Sequence, residues 1–167
     1  VKRIEKSKKE NVLIAFTNYA DLVNEQARGF SINAFIKTIL LFPFKFSSSI
    51  KNKFLKRFVL LFGDPICCPT VTINLNAIKY KFSFSTDYSC ALDWFAWLEL
   101  AKEDGSFIYI DEKLVSHRIH PESETTNQIN NGRRQQEEMQ IFELMWGKTM
   151  AKLIAKAYKF GHKDNTI

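Results

Sequence analysis

Several features that would assign this chain to a common class of protein are missing from its sequence. It has only three cysteines in 167 residues, Cys67, Cys68 and Cys90, and their spacing fits neither a disulfide framework nor a zinc site. We therefore expect a reducing compartment, in which the thiols are small core residues. Nor does any apolar run approach the roughly 20 residues of a bilayer-spanning helix, and the run before Pro43 stops there.

Motifs of nucleotide-dependent catalysis are absent as well. The sequence has no Gly-rich phosphate loop, Walker motif, His-Glu-x-x-His or Gly-x-Ser-x-Gly. It also lacks an Asp-x-Asp pair, the usual clamp for a metal-bound nucleotide. Residues 1–10 alternate in charge without a starting Met or a secretory signal, so we expect a cut edge of a longer protein. A complete nucleotide-dependent active site is therefore not expected in this chain.

Acidic residues are missing from one long stretch, between residues 26 and 63. Seven basic residues fall there, so this stretch accounts for the formal net charge of +6 and leaves the rest of the chain close to neutral. Eight of the 15 Phe residues lie there too. The hydrophobic content of 46% suffices for a folded core and excludes disorder as the main state.

The apolar periodicity predicts a mixed α/β fold. Buried or half-buried strands are expected at residues 12–16, 71–78, 107–110 and 114–119, the last two around a turn at 111–113. Amphipathic helices are expected at 32–40, stopped by Pro43, and at 50–62, capped from the serines at 47–49. Further helices are expected at 92–101, closed by Gly105, and at 132–160, broken at Gly147.

The basic helices between residues 31 and 62 allow two interpretations. Either their Phe-rich faces pack on the core, or they lie on an anionic membrane surface. In the second case the chain could be a non-catalytic membrane-surface or protein-interaction module. Nucleic-acid binding is disfavoured, because no RNP, helix-turn-helix or zinc-finger signature accompanies the charge.

Asp93 is the strongest catalytic candidate, because it is the only carboxylate within the apolar and aromatic residues 90–98. A carboxylate at a helix N-terminus is stabilised as the anion by unpaired backbone N–H groups, which keeps it ready as a general base. The same position also suits a simple N-cap, and spacing alone favours that interpretation.

His117, Arg118 and His120 form a second polar cluster at the end of a predicted strand. Side chains alternate along a strand, so Arg118 and His120 should share a face. An arginine and a histidine together suit a phosphate or a metal–phosphate group. Ordinary surface polarity is the alternative, and His162 has no partner in the sequence.

Three of these segments resemble the C-terminal half of a family 2 glycosyltransferase, an inverting sugar-nucleotide enzyme of the GT-A fold. They are residues 91–101 (ALDWFAWLELA), 105–110 and 117–123 (HRIHPES). Residues 2–6 and 11–24 are similar to the stretch after the family's Asp-x-Asp motif, and residues 63–71 to the loop and strand before its catalytic helix. We therefore expect residues 1–130 to be the C-terminal portion of a GT-A catalytic domain and 131–167 a helical extension.

The resemblance implies roles for the two polar sites. Asp93 matches the family's catalytic base, which takes the proton from the acceptor hydroxyl. His120 matches a histidine that approaches the metal or the diphosphate, and Arg118 and His117 would lie on the same donor side.

The implied acceptor pocket consists of Trp94, Trp97 and Asp64, although the helical spacing of the two Trp residues favours a core position for one of them. Two positions depart from the family pattern. Leu92 stands where the family often has Glu or Thr, which is a mild change. Glu99 stands where it often has a basic residue, so no phosphate or acceptor contact is carried over to it.

The resemblance also implies what lies outside this chain. In the family an N-terminal half binds the nucleotide, and its Asp-x-Asp holds Mg²⁺ or Mn²⁺. We expect the present chain to bind no cation and to transfer little sugar alone, and unpaired strand edges would favour its self-association. The parent would transfer a sugar to a saccharide or lipid-linked acceptor in bacterial surface polysaccharide synthesis, in the cytoplasm or at the inner face of the membrane.

Overall fold

The computed structural model has a mixed α/β fold, as predicted, and describes residues 11–119 except 24, 28 and 30, and residues 132–162, with side chains to 156. Its strands are β1 (Val12–Val23), β2 (Gln26–Ala27), β3 (Ser49–Ile50), β4 (Thr72–Ile73) and β5 (Ser106–Ile119). Its helices are α1 (Ile32–Leu40), α2 (Pro43–Phe46), α3 (Lys53–Leu60), α4 (Leu92–Ala101) and α5 (Arg133–His162).

β1 and β5 pair in parallel at the centre of the sheet. β3 pairs antiparallel with β5, while β4 and β2 pair antiparallel with β1. The first half of each central strand is a continuous apolar run, as expected for parallel strands covered on both faces. The apolar side chains of these two runs accordingly belong to two clusters. The main core includes Ile14, Phe16, Phe107 and Tyr109. The smaller cluster consists of Val12, Ala15, Ile108 and Ile110.

Two strand predictions were wrong in detail. β5 runs as one strand through the predicted turn, because the pairing with β1 skips Asp111 and Glu112 as an irregularity within the ladder. Such bulges insert residues without ending a strand. The strand predicted at 71–78 is reduced to β4, and a 3₁₀ turn follows at Leu75–Ala77.

The helices lie close to their predicted positions, but α3 begins later. The side-chain oxygen of Asn52 caps it by accepting the N–H of Leu55 at 3.0 Å, whereas residues 49–50 pair as β3. α5 contains the predicted break, at Gly147 with φ of 73°. Within the described parts of the chain, no helix combines the length and apolarity needed to cross a bilayer.

Two indole groups tie α4 and α5 to the end of α3. The indole N–H of Trp94 donates to the carbonyl of Leu60 at 3.0 Å, and that of Trp146 to the carbonyl of Leu61 at 2.9 Å. Carbonyls at a helix C-terminus have no partner within the helix, so these bonds satisfy them. α5 therefore belongs to the same core as the sheet, although the sequence set residues 131–167 apart as an extension.

Lys56 is fully buried, contrary to the sequence pattern, which placed it on the solvent side of α3. Its ammonium donates to the carbonyls of Glu103 at 2.7 Å and Gly105 at 2.8 Å, and it lies 5.1 Å from the ring centroid of Phe107. Burial, with repulsion from Lys53, lowers the pKa of Lys56 to about 8. Lys56 thus joins α3 to the turn between α4 and β5.

Gly105→Ala is expected to lower the free energy of unfolding by about 1–3 kcal/mol, measured by urea denaturation. Gly105 has φ of 143°, and a Cβ there would lie 2.5 Å from the carbonyl oxygen of Asn11 and 2.8 Å from Cγ of Leu13. Gly29→Ala is the matched control, since a Cβ at Gly29 meets no atom within 4 Å. Equal stability of the two variants would contradict the close approach of this turn to β1.

Candidate functional site

Polar residues gather around a cavity of about 270 Å³ between α1 and the second halves of β1 and β5. The charged side chains of its lining come from both strands and both neighbouring helices; they are Asp21, Lys37, Lys45, Asp111 and Lys113. In open α/β sheets, ligands bind beyond the carboxyl ends of parallel strands. The cavity is therefore a candidate binding site in the described part of the chain.

Asp93 and Asp64 form a pair of half-buried carboxyl groups whose charges interact. Asp93 lies in the first turn of α4, and Asp64 lies in the loop after α3. The alternative prediction that Asp93 is a simple N-cap was wrong, because Ala91 occupies the cap position. Oδ1 of Asp93 instead accepts the N–H of Trp94 at 2.8 Å.

The pKa values of both carboxyl groups are raised, and burial is the largest cause in each case. At Asp64 the charge of Asp93 raises the pKa further, and one N–H, that of Ile66 at 2.9 Å, opposes it. At Asp93 the Trp94 N–H and the charge of Arg134 oppose the effect of burial. Both carboxyl groups therefore hold a proton more readily than an exposed aspartate does. Two interacting carboxyl groups with raised pKa values titrate as a pair, which is an arrangement suited to acid–base chemistry.

Lys37 of α1 points toward the sheet. Its Nζ donates to the hydroxyl of Tyr19 at 2.5 Å. Burial opposes the charge of Lys37, but the contact with Tyr19 and nearby acidic groups outweigh it and raise the pKa of Lys37. The positive charge also acts on Asp64 and Asp93, which lowers the cost of ionising them.

The predicted cluster of His117, Arg118 and His120 is only partly described. Nδ1 of His117 lies 3.0 Å from Oδ1 of Asp21, a residue that lines the cavity. Arg118 instead forms an exposed ion pair with Glu25 at 3.2 Å. Since neighbouring residues of a strand face opposite sides, His117 and Arg118 do not converge on one ligand. His120 lies outside the described residues, as does the side chain of His162.

Neither Trp residue of the predicted acceptor pocket faces a binding site. Trp94 is 2% exposed and Trp97 is fully buried, and both belong to the main core. The ring of Trp94 packs edge-on against Phe142 with centroids 5.1 Å apart. Neither ring is therefore available to stack on a sugar. Asp64, the third member of that predicted pocket, lies close enough to Asp93 for their charges to interact.

The cysteines contribute no reactive group. Burial raises the pKa of Cys67 to about 12 and that of Cys68 to about 11, which keeps both as neutral thiols, and burial also raises the pKa of Cys90. Nor do the described residues contain a group of three or more His, Cys, Asp or Glu that could hold a metal ion. The divalent cation that the resemblance implies does not fit any cluster in this part of the chain.

The residues immediately before α4 are held by a carboxylate from α5. Glu137 is buried and accepts the N–H groups of Ser89, Cys90 and Ala91 at 2.8–3.0 Å. Burial alone would raise its pKa, but these N–H groups outweigh burial and lower the pKa of Glu137 to about 2. Glu137 thereby acts as an N-terminal cap supplied from another helix, and it fixes the turn that leads to Asp93.

No sequence pattern pointed to Glu137, Lys37 or Arg134 as residues that influence Asp93 or hold the chain before it. The partners of Glu137 lie 46 to 48 residues away, and no local pattern reports such a contact. Arg134 is paired with Glu138 at i, i+4, which in a sequence indicates only an ordinary helical ion pair.

No family model matches this chain, and no curated protein or solved structure matches it either. The family 2 glycosyltransferase assignment therefore stays a prediction that rests on the motif residues.

Glu137→Gln is expected to lower the free energy of unfolding by about 2 kcal/mol at neutral pH, because an amide replaces the anion that accepts three N–H groups. Folding lowers the pKa of Glu137 from 4.5 to about 2. Its contribution is therefore complete above pH 4.5 and is lost as the pH falls to about 2. Urea titrations at about pH 3 and pH 7 should show this loss in the native protein and less of it in the variant. Glu143→Gln, on the same helix, is the control, and an equal effect of both substitutions would contradict the capping role.

Asp64→Asn is expected to stabilise the protein at neutral pH. Because folding raises the pKa of Asp64, the folded state holds a proton that the unfolded state has released, and native stability falls as the pH rises above 3.8. Each unit of such a shift costs about 1.4 kcal/mol once the pH exceeds both values. Urea unfolding across this range should show a weaker pH dependence in the variant than in the native protein. Asp87→Asn, at an exposed loop residue, serves as the control, and an unchanged slope in Asp64→Asn would contradict the assignment.

Proposed function

We propose that this chain forms the acceptor side of a glycosyltransferase that uses a nucleotide-sugar donor, with Asp93 as the general base. The observation that carries the proposal is the pair of interacting, half-buried carboxyl groups of Asp93 and Asp64, whose pKa values are both raised. The helix that holds Asp93 is also the segment, residues 91–101, that resembles the catalytic helix of family 2 glycosyltransferases.

In the proposed reaction, Asp93 takes the proton of the acceptor hydroxyl while that oxygen bonds to the anomeric carbon of the donor sugar. The bond from the anomeric carbon to the diphosphate oxygen breaks, and its electron pair leaves with the nucleoside diphosphate. Attack in line with the departing group inverts the configuration. A positioned general base contributes roughly 100- to 10,000-fold in rate.

The surroundings of Asp93 suit this role. Burial raises its pKa, which makes it a stronger base than an exposed aspartate, while the Trp94 N–H and the charge of Arg134 oppose burial and favour the ionised form. The charge of Lys37 acts in the same direction. Asp64, which holds its proton to higher pH, can donate a hydrogen bond to a hydroxyl of the acceptor and thereby orient it.

On the donor side, the described residues supply at most His117. The contact of its Nδ1 with Asp21 orients the ring and leaves Nε2 as the ring nitrogen that could meet a phosphate oxygen. Our proposal places the remaining donor contacts, and any Mg²⁺ or Mn²⁺, on residues other than those described. The acceptor class, a saccharide or a lipid-linked hydroxyl in bacterial surface polysaccharide synthesis at the cytoplasmic side of the membrane, rests on the resemblance.

Asp93→Asn should reduce kcat at least about 100-fold in the protein that combines this chain with its nucleotide-binding half, because the amide cannot accept the proton. The assay is the release of nucleoside diphosphate from a panel of nucleotide sugars, with saccharide and lipid-linked acceptors. The native kcat should fall as the pH is lowered through the raised pKa of Asp93, since the base must be ionised.

Asp87→Asn is the matched control, because it removes an exposed carboxylate from the loop before α4 and should leave kcat unchanged. Circular dichroism would verify that both variants are folded. Retained turnover in folded Asp93→Asn would contradict the base assignment, and failure of all donors with the native protein would contradict the proposed transferase.

A further inference from the structure

A stripe of large apolar side chains runs along the outside of α1 and α2. The two helices follow each other closely, since the N–H of Phe42 donates to Ile39 and that of Lys45 donates to Phe42. The members of the stripe recur at helical spacing and are 47–80% exposed; they are Ile32, Phe35, Ile39, Phe42 and Phe46. The rings of Phe42 and Phe46 contact each other edge-on, with centroids 5.1 Å apart.

α3 shows a second group of the same kind. Phe54, Leu55 and Phe58 are 40–71% exposed, and the two Phe rings stack with centroids 6.4 Å apart. We call these three side chains together with the α1–α2 stripe the Phe-rich surface. Monomeric proteins rarely expose a stripe of large apolar side chains such as that of α1 and α2 unless it contacts something else.

α1 and α3 turn much of their apolar surface away from the core, although Val59 and Leu60 of α3 are buried in it. A surface helix normally turns its apolar stripe to the core and its charged residues to water. Here α1 has no buried residue and points Lys37 at Tyr19, and α3 buries Lys56 while Phe54 remains exposed. This overturns the interpretation that the Phe-rich faces of the two helices pack on the core.

The charged residues of the segment that carries the Phe-rich surface are all basic. No acidic residue occurs between residues 26 and 63, and the exposed cations beside the Phe residues are Lys45, Lys51, Lys53 and Arg57. Lys45 and Lys53 form ion pairs with Asp111 and Asp104, but these pairs are solvent-exposed. Exposed pairs are weak and exchange readily, so these ammonium groups can turn to another anion.

We propose that the Phe-rich surface docks on an anionic lipid bilayer. Aromatic rings placed among lysine and arginine are the composition of an interfacial membrane contact, in which the rings enter the headgroup region and the cations meet anionic lipids. A second copy of this chain fits less well, because it would bring two basic surfaces together. The proposal does not depend on the glycosyltransferase assignment.

The test is co-sedimentation of the chain with vesicles of phosphatidylcholine alone or with about one third phosphatidylglycerol, at low and high salt. The native chain should bind the anionic vesicles, more weakly at high salt and most weakly without phosphatidylglycerol. Phe42→Ser/Phe46→Ser should reduce the association constant at least about tenfold, since both rings are exposed in the free protein and buried in the bound one.

The matched control is Leu75→Ser/Leu114→Ser, which removes two side chains of 63% and 61% exposure outside the Phe-rich surface and should bind as the native chain does. Lys51→Gln/Arg57→Gln should weaken binding to anionic vesicles and reduce its salt dependence.

Three outcomes would overturn the proposal. They are no sedimentation of the native chain with anionic vesicles at low salt, native-like binding by the Phe42/Phe46 variant, and binding that the control substitutions reduce equally. Analytical ultracentrifugation would identify a dimer that the Phe42/Phe46 variant disrupts. In the absence of vesicle binding, such a dimer would assign the surface to a second copy instead.

Discussion

The parallel pairing of β1 with β5 is the constraint on which the rest of the structure depends. Parallel strands cannot be joined by a tight turn, so the chain between them has to cross over the sheet. α1 to α4 all lie in that crossover, and the main core forms where they meet the strand pair. The same register sets Asp21 opposite His117, which places polar side chains at the far end of an otherwise apolar strand pair.

Backbone N–H groups explain why three half-buried or buried carboxylates in this region behave differently. Glu137 accepts N–H groups from three successive residues, and its pKa is lowered despite burial. Asp64 accepts only that of Ile66 and has an ionisable neighbour, so its pKa is raised. Asp93 accepts the N–H of Trp94, which with the charge of Arg134 offsets part of the burial, although the pKa of Asp93 is still raised. Local hydrogen bonding thus makes Glu137 a fixed anion, whereas the pKa values of Asp93 and Asp64 are both raised.

The two proposals meet on α1. One side of this helix presents Lys37 to Tyr19 and to the carboxyl pair, and the other presents Phe35 and Ile39 to the outside. A bilayer against the Phe-rich surface would therefore lie on the far side of the helix that borders the cavity. Taken together, the two proposals predict a lipid-linked acceptor, whose hydroxyl would approach Asp93 from a membrane surface.

The sequence by itself predicted most of the helices and strands, because helical periodicity and the stop at Pro43 are local features. It also singled out Asp93 as the one carboxylate among the apolar and aromatic residues 90–98, and the catalytic role of Asp93 stays a prediction. It could not decide which face of α1 and α3 meets the sheet, since an amphipathic pattern defines two faces but not their partners. Only the tertiary structure turned Lys56 inward and Phe54 outward. The cap from Glu137 was equally hidden, because its partners are distant in the chain and hydrogen bonding between distant residues follows from packing.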